Sequence, residues 1–243
     1  MSSCKYEELA KADYPQQVLY MPTAKNGVFT IASLPTVGAY RFTVSLTDKK
    51  LIIPLSVFRG GVSADGDLPV TVAVNADTIS KLIMAKTLVG TVTLPADKFV
   101  LPVTVTIENG KTSAPFELRI DLDYLRANPG QKLAIGVGIA SAQATVNPLL
   151  RTTIISLDPT ILKPTTNFTP KADATLPRKI TFTNTSLNAT SYSWDFGDGS
   201  ATLTDAAPVY TYTKAGTYTV TLTATGITGS ADAVKKTAVL VMP

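Results

Sequence analysis

Histidine is absent from this chain, and cysteine occurs once, at Cys4. Without histidine there is no Ser-His-Asp or Cys-His nucleophile system and no His-based zinc site. A single cysteine closes no intrachain disulfide and gathers no thiolate cluster for a metal. No apolar run is long enough to cross a bilayer as a helix. Charge is sparse as well. Charged residues make up 16% of the 243, and 22 Lys and Arg stand against 18 Asp and Glu, a net charge of +4. The basic residues gather no further than Lys49-Lys50, Arg178-Lys179 and Lys235-Lys236. Nucleic-acid binding wants a dense basic stripe with stacking aromatics, so no nucleic-acid partner is expected. The expectation is a chain that is not an enzyme, with no catalytic residues, cofactor or metal.

What is present is hydrophobic patterning. Apolar residues are 45% of the chain, ample for a packed core. Arg41–Thr47 alternates with Phe42, Val44 and Leu46 on one face. Val70–Asn75, Val103–Glu108 and Phe116–Leu122 do the same, and period 2 means strands with one wet face. Gly60-Gly61, Asp65-Gly66, Asn109-Gly110 and Pro129-Gly130 mark the turns. Only Asp77–Met84 and Asp123–Ala127 read as short helices. A last strand of this region falls at Arg151–Leu157. Pro159, Pro164 and Pro170 then interrupt the pattern, a density that resists helix and sheet and fits a flexible linker. Alternation resumes at Ile180 and Phe182, at Tyr192, Trp194 and Phe196, and at Tyr218, Val220, Leu222 and Ala224. The final strand is expected near Val234–Val241.

Tyr192-Ser-Trp-Asp-Phe-Gly-Asp-Gly199, followed by Val209-Tyr-Thr-Tyr-Thr-Lys-Ala-Gly-Thr-Tyr-Thr-Val-Thr-Leu222, resembles a PKD domain over about residues 168–243. The resemblance implies an immunoglobulin-like sandwich. The residues agree. Trp194 shares a face with Tyr192 and Phe196, so it plugs a core. Gly197 and Gly199 free the backbone for a sharp turn that Asp198 can bond. Tyr218 after Gly216 looks like a tyrosine corner. Asp195 and Asp198 could instead bind calcium or form a glycosidase pair. The alternation points Asp195 outward, and Asp198 has a turn to hold, so both are read as structural.

Upstream, Asp67-Leu-Pro-Val-Thr-Val-Ala-Val-Asn75, Leu94-Pro-Ala-Asp-Lys-Phe99, Val105-Thr-Ile-Glu-Asn-Gly110 and Leu133-Ala-Ile-Gly-Val-Gly-Ile139 together resemble the N-terminal DUF1735 domain of Bacteroidetes surface lipoproteins. That family sits beside polysaccharide-utilisation proteins and has no known catalytic set. The organisation expected is all-β, two immunoglobulin-like β-sandwich domains in tandem. Residues 1–13 would be a tether, 14–158 the DUF1735-like sandwich, 159–172 a linker and 173–243 the PKD-like sandwich. Met1-Ser-Ser-Cys4 resembles the end of a lipoprotein signal peptide, and Glu7 and Glu8 after Lys5 resemble a surface-export signal. Cys4 is thus the candidate lipid anchor, with the cell surface of the outer membrane as the expected location.

The resemblance implies a glycan or another surface protein as partner. The bland reading is a structural spacer or protein-interaction module. Glycan sites use exposed aromatics, and Tyr14, Tyr20, Tyr40 and Tyr124 are the leftover candidates. Gly136-Val-Gly-Ile-Ala-Ser141 imitates a dinucleotide loop but lacks the third glycine and a following helix. Asp77-Thr-Ile79 matches a Bacteroidetes O-glycosylation tripeptide. Asn167, Asn184 and Asn188 open N-glycosylation triplets, which a threonine-rich chain yields by chance.

Overall fold

The computed structural model describes residues 17–34 and 41–243. The expected tether, Cys4, Tyr14 and Tyr40 lie outside the described residues. The first sandwich holds, in chain order, β1 (Val18–Tyr20), β2 (Val28–Ile31), β3 (Thr43–Ser45), β4 (Lys50–Gly60), β5 (Leu68–Val74), β6 (Thr91–Thr93), β7 (Phe99–Val100), β8 (Thr104–Ile107), β9 (Ser113–Asp121), β10 (Lys132–Ala140), β11 (Thr145–Val146) and β12 (Thr152–Leu157). One sheet runs β11-β1-β4-β9-β7 with β3 also on β4. The other runs β2-β12-β10-β5-β8 with β6 also on β10. Three pairings are parallel: β1 with β11, β2 with β12 and β6 with β10.

Period-2 alternation builds the core between these sheets. Leu51, Ile53, Leu55 and Val57 of β4 face inward, as do Phe116, Leu118 and Ile120 of β9. Val70 and Val72, Ile135 and Val137, and Ile155 close it from the other sheet. Both expected helices form, as α1 (Ala76–Met84) and α2 (Leu122–Ala127). Asn75 caps α1, its Oδ1 accepting from the Thr78 N–H at 3.2 Å, and this satisfies one of the free donors of the first turn. The buried face of α1, with Ile79, Leu82 and Ile83, packs on Ala134 and Ile154 on the outer face of the second sheet. The expected alternation extends too far in places. Leu46, Val74 and Val103 are exposed, because β3 ends at Ser45, β8 begins at Thr104, and Val74 stands at the open end of β5.

The second sandwich is smaller. It holds β13 (Phe168–Ala172), β14 (Lys179–Asn184), β15 (Ser191–Asp195), β16 (Val209–Thr211), β17 (Gly216–Gly226) and β18 (Gly229–Met242), in two three-stranded sheets, β13-β14-β16 and β15-β17-β18. Phe168, Ile180, Phe182 and Tyr212 from one sheet meet Trp194, Val220 and Leu222 from the other. The all-β tandem of two sandwiches is the architecture of the chain.

The expected linker, 159–172, needs correction at both ends. Pro159–Leu162 forms a 3-10 turn in which Pro159, Ile161 and Leu162 are buried. Ile161 and Leu162 belong to the first core. Phe168–Ala172 is β13, with Pro170 on an edge strand, where a missing N–H leaves no ladder bond unmade. Prolines here begin a turn and line an edge; they do not loosen the chain. The tip of the β17–β18 hairpin then reaches back. Ile227 packs against the first core, and the buried Thr228 hydroxyl donates to the Leu162 carbonyl at 3.1 Å. Arg126 of α2 meets the Asp232 carboxylate of β18 at 2.9 Å. A Cβ on Gly226 would lie 2.9 Å from Pro164 Cδ and 3.3 Å from the Leu162 carbonyl oxygen. The joint is therefore tight and partly buried.

Candidate functional site

The outer face of the second sheet carries a polar notch beside the start of α1. Its floor follows from the register. Ala73 of β5 and Thr152 of β12 both pair with Gly138 of β10, and Thr71 pairs with Ala140 in the next row. Three small residues, Ala73, Gly138 and Ala140, thus leave the sheet almost bare. Asn75, Asp77, Arg151 and Thr152 stand around this floor, and the space enclosed is about 420 Å³. The Asn75 amide donates to the Thr152 hydroxyl at 3.2 Å, which ties one wall to the other. Among the described residues, the side chains of Asp77 and Arg151 make no hydrogen bond and no ion pair. A carboxylate, a guanidinium, an amide and a hydroxyl can together both donate and accept, with no net charge.

Gly136 and Gly138, the pair that imitates a dinucleotide loop, lie on a strand here and bind no phosphate turn. Their reasons differ. A Cβ on Gly136 would meet the Asn75 carbonyl oxygen at 2.6 Å, so glycine is required for the chain to pass. A Cβ on Gly138 would sit at 3.6 Å from its neighbours, an ordinary contact. The Asp77-Thr-Ile79 tripeptide is the first turn of α1, where Ile79 is fully buried.

A second cleft, of about 530 Å³, lies on the opposite sheet. Tyr20 and Phe58 pair across β1 and β4 and project outward together, with ring centroids 5.8 Å apart. Tyr20 lines the cleft with Val18, Val62, Leu150 and Asn147, and Phe58 lies outside that lining. Tyr124 does not join this cleft. It packs against the first core with Lys98 above its ring, 5.9 Å from the centroid.

The two carboxylates of the second sandwich singled out in the sequence, Asp195 and Asp198, are occupied. Asp195 Oδ1 accepts from the Gly197 N–H at 2.9 Å. Asp198 accepts from the Ser200 N–H and, at 2.6 Å, from the Tyr210 hydroxyl. The Tyr210 hydrogen bond holds the Asp198 carboxyl below its ordinary range, while burial first, and Asp198 second, push the Tyr210 phenol up. Gly197 and Gly199 take φ of 75° and 80°, the left-handed region the turn needs. Trp194 is fully buried, and its indole N–H donates to the Asp205 carbonyl at 3.0 Å. The Tyr218 hydroxyl donates to the Lys214 carbonyl, closing the expected corner. No group of three His, Cys, Asp or Glu among the described residues is placed to hold a metal.

One buried cation was not legible in the sequence. Arg59 is 4% exposed. It donates to the carbonyls of Lys111, Gly66, Glu108 and Asp65 at 2.7 to 3.2 Å. Four carbonyls replace its water, so it pins two loops and is not a ligand site. The Arg59-Gly-Gly run gives no sign of this, since all the acceptors are backbone.

Two family models match the chain. A PKD domain family model matches residues 159–241. A family model for an N-terminal domain matches residues 15–146, more than half of the chain. The pre-pro-metalloprotease PrtV of Vibrio cholerae is 33% identical over 131 residues, which are 54% of this chain. The chain spans only 12% of that protein's length. The crystal structure of the PKD1 domain of PrtV is 38% identical, covering 33% of this chain and 96% of that domain, with a TM-score of 0.30. A multidomain protein including DUF1735 from Bacteroides ovatus is 14% identical, covering 91% of this chain and 70% of that one, with a TM-score of 0.40. The chain belongs to the family defined by this N-terminal domain and carries a PKD domain behind it.

Proposed function

We propose that this protein is a non-catalytic surface protein that binds or displays glycan in a polysaccharide-utilisation system. The observation that carries the reading is the notch over Gly138. It is a preformed concavity with donors and acceptors on its rim. Pockets of a few hundred Å³ with a few convergent polar groups are the usual form of a small-ligand site. The Asp195 and Asp198 carboxylates, the pair the sequence offered for glycoside hydrolysis, are held in turn bonds instead. The test is affinity electrophoresis of the soluble chain through gels containing a panel of plant, fungal and host polysaccharides. Retardation by at least one polymer is the expected result. Uniform mobility across the panel overturns the reading.

The anchor belongs to the same proposal. Cys4 would carry lipid at the outer membrane, and several acyl chains on one cysteine anchor stably where one chain does not. Expression with the native upstream sequence, alongside Cys4→Ala, followed by protease shaving of intact cells and membrane fractionation, tests it. Wild type at the surface and the variant in the soluble fraction is the expected outcome. A soluble wild type, or a variant equally membrane-bound, overturns the anchor.

The tight joint favours a second reading, a rigid spacer that holds a partner protein off the membrane. Thr228, Ile227 and the Arg126–Asp232 pair fasten the two sandwiches in a way that a loose tandem of binding modules does not need.

A further inference from the structure

We propose that the notch over Gly138 is a subsite for a neutral sugar ring, with Asp77 and Arg151 as its hydroxyl-reading groups. This rests on the glycan reading above and names the site and the ligand class. The strongest observation is Gly138 itself. Glycine in a strand interior weakens the strand and often marks a place where another group comes close. At Gly136 the other group is the Asn75 backbone. At Gly138 no backbone demands it, since a Cβ there would make only ordinary contacts, and its φ is not in the left-handed region. What glycine does at this position is leave the floor open.

The rim fixes the class of ligand. Asp77 has four acceptor sites and Arg151 five donors, none engaged by a side-chain bond among the described residues. Thr152 accepts from Asn75, which leaves its own hydroxyl proton to give. A vicinal diol both donates and accepts at each oxygen, so one hydroxyl can give to the carboxylate while its neighbour accepts from the guanidinium. Opposite charges on one rim give no net attraction to an anion or a cation. No aromatic ring lines the notch, so a nucleobase has nothing to stack on. Ala73, Gly138 and Ala140 present a flat apolar floor of sheet, and the C–H face of a pyranose suits it. The Tyr20 cleft, with the Asn147 amide and the Tyr20 hydroxyl as its polar side-chain groups, lacks this balance of donors and acceptors.

The experiment uses the full chain and four variants: Asp77→Ala, Arg151→Ala, Gly138→Val and Tyr20→Ala. Dissociation constants are measured by calorimetry for the polysaccharide that retards wild type most, and melting temperatures by circular dichroism. Gly138→Val fills the floor with a residue that strands favour, so its fold is retained or strengthened. The expected result is at least tenfold weaker binding for Asp77→Ala, Arg151→Ala and Gly138→Val, with no fall in melting temperature for Gly138→Val, and wild-type affinity for Tyr20→Ala. Wild-type affinity in the three notch variants, with loss in Tyr20→Ala, overturns the subsite and leaves the glycan reading standing. Preference for polygalacturonate over every neutral polymer overturns the neutral-sugar assignment. Failure of wild type to bind any polymer overturns both readings together.

Discussion

The two sandwiches solve the same packing problem with different materials. The first buries aliphatic side chains between two six-stranded sheets; Phe42 and Phe116 are the buried aromatics of that core. The second has half as many strands per sheet and fills its interior with rings. Phe168, Phe182, Trp194 and Phe196 meet with centroids 5.1 to 6.5 Å apart. Tyr210 stacks on Phe196 at 3.8 Å, and Tyr212 on Tyr218 at 4.3 Å. A small domain gains little area per residue, so large side chains compensate for few strands. The lesson reaches function. The rings of the second sandwich are spent on its core, while the first, with surplus sheet area, leaves an outer face open for α1 and the notch.

Trp194→Ala gives the sharpest break between the two halves. The indole fills the middle of a core with nine buried residues and bonds the Asp205 carbonyl. The expected loss is about 3–5 kcal/mol, the range for large aromatic truncations. Urea unfolding followed by tryptophan-independent circular dichroism should then show the second sandwich melting ahead of the first. A single unshifted transition with lost ligand binding would make Trp194 a binding platform instead.

The joint comes next. Gly226→Ala drives a Cβ against the Pro164 ring and two carbonyls, and overpacking of this kind costs about 1–3 kcal/mol. Thr228→Val leaves the Leu162 carbonyl without its donor, a loss of about 1–3 kcal/mol. Both variants should separate the unfolding of the two sandwiches and expose residues 159–172 to limited proteolysis. In the wild-type chain that segment should resist cutting. Rapid cleavage there in wild type would show that the hairpin tip does not hold the two halves together.

Acid distinguishes them more gently. Asp198 is held below its ordinary range by Tyr210, and Asp121, the cap of α2, by the Tyr124 N–H. A carboxyl depressed on folding contributes stability above its unfolded value, near pH 4, and that contribution is lost as pH falls through the lower folded value. Both sandwiches should therefore weaken below about pH 4. Tyr210→Phe should flatten the acid slope of the second sandwich alone, measured by melting temperature between pH 2 and 6. An unchanged slope would show that the hydroxyl contact contributes nothing in solution.

The smallest expected effect is none. Calcium should leave both melting temperatures in place, because the Asp195 and Asp198 oxygens already accept backbone and phenol donors. A rise of several degrees on adding calcium would overturn the structural reading of that pair.

Much of the second sandwich was legible because its signals are local. Trp194 shares a face with its aromatic neighbours, and the Gly197-Asp-Gly199 turn and the Tyr218 corner each close within a few residues. The first sandwich is less so. Its longest strand, β4, escaped the alternation reading. Ile52 and Phe58 put apolar groups on the outward face, and Pro54 interrupts the run, so period 2 is blurred. The parallel pairings and the Arg59 bonds to Lys111 and Glu108 were hidden for another reason: they join segments far apart in the chain.

The sequence alone thus determined the class of the fold, the two-part organisation, both helices and the ring-filled core, since periodicity, turn chemistry and motif spacing are short-range properties. Tertiary structure decided the rest. It turned the proline-rich segment from a linker into a buried turn and an edge strand, because Leu162 finds its partner in Thr228, 66 residues away. It set Gly138 between Ala73 and Thr152 and brought Asp77 and Arg151 to one rim. No local pattern encodes that meeting. The register of three strands creates it, and register is fixed only when the whole inner face is buried.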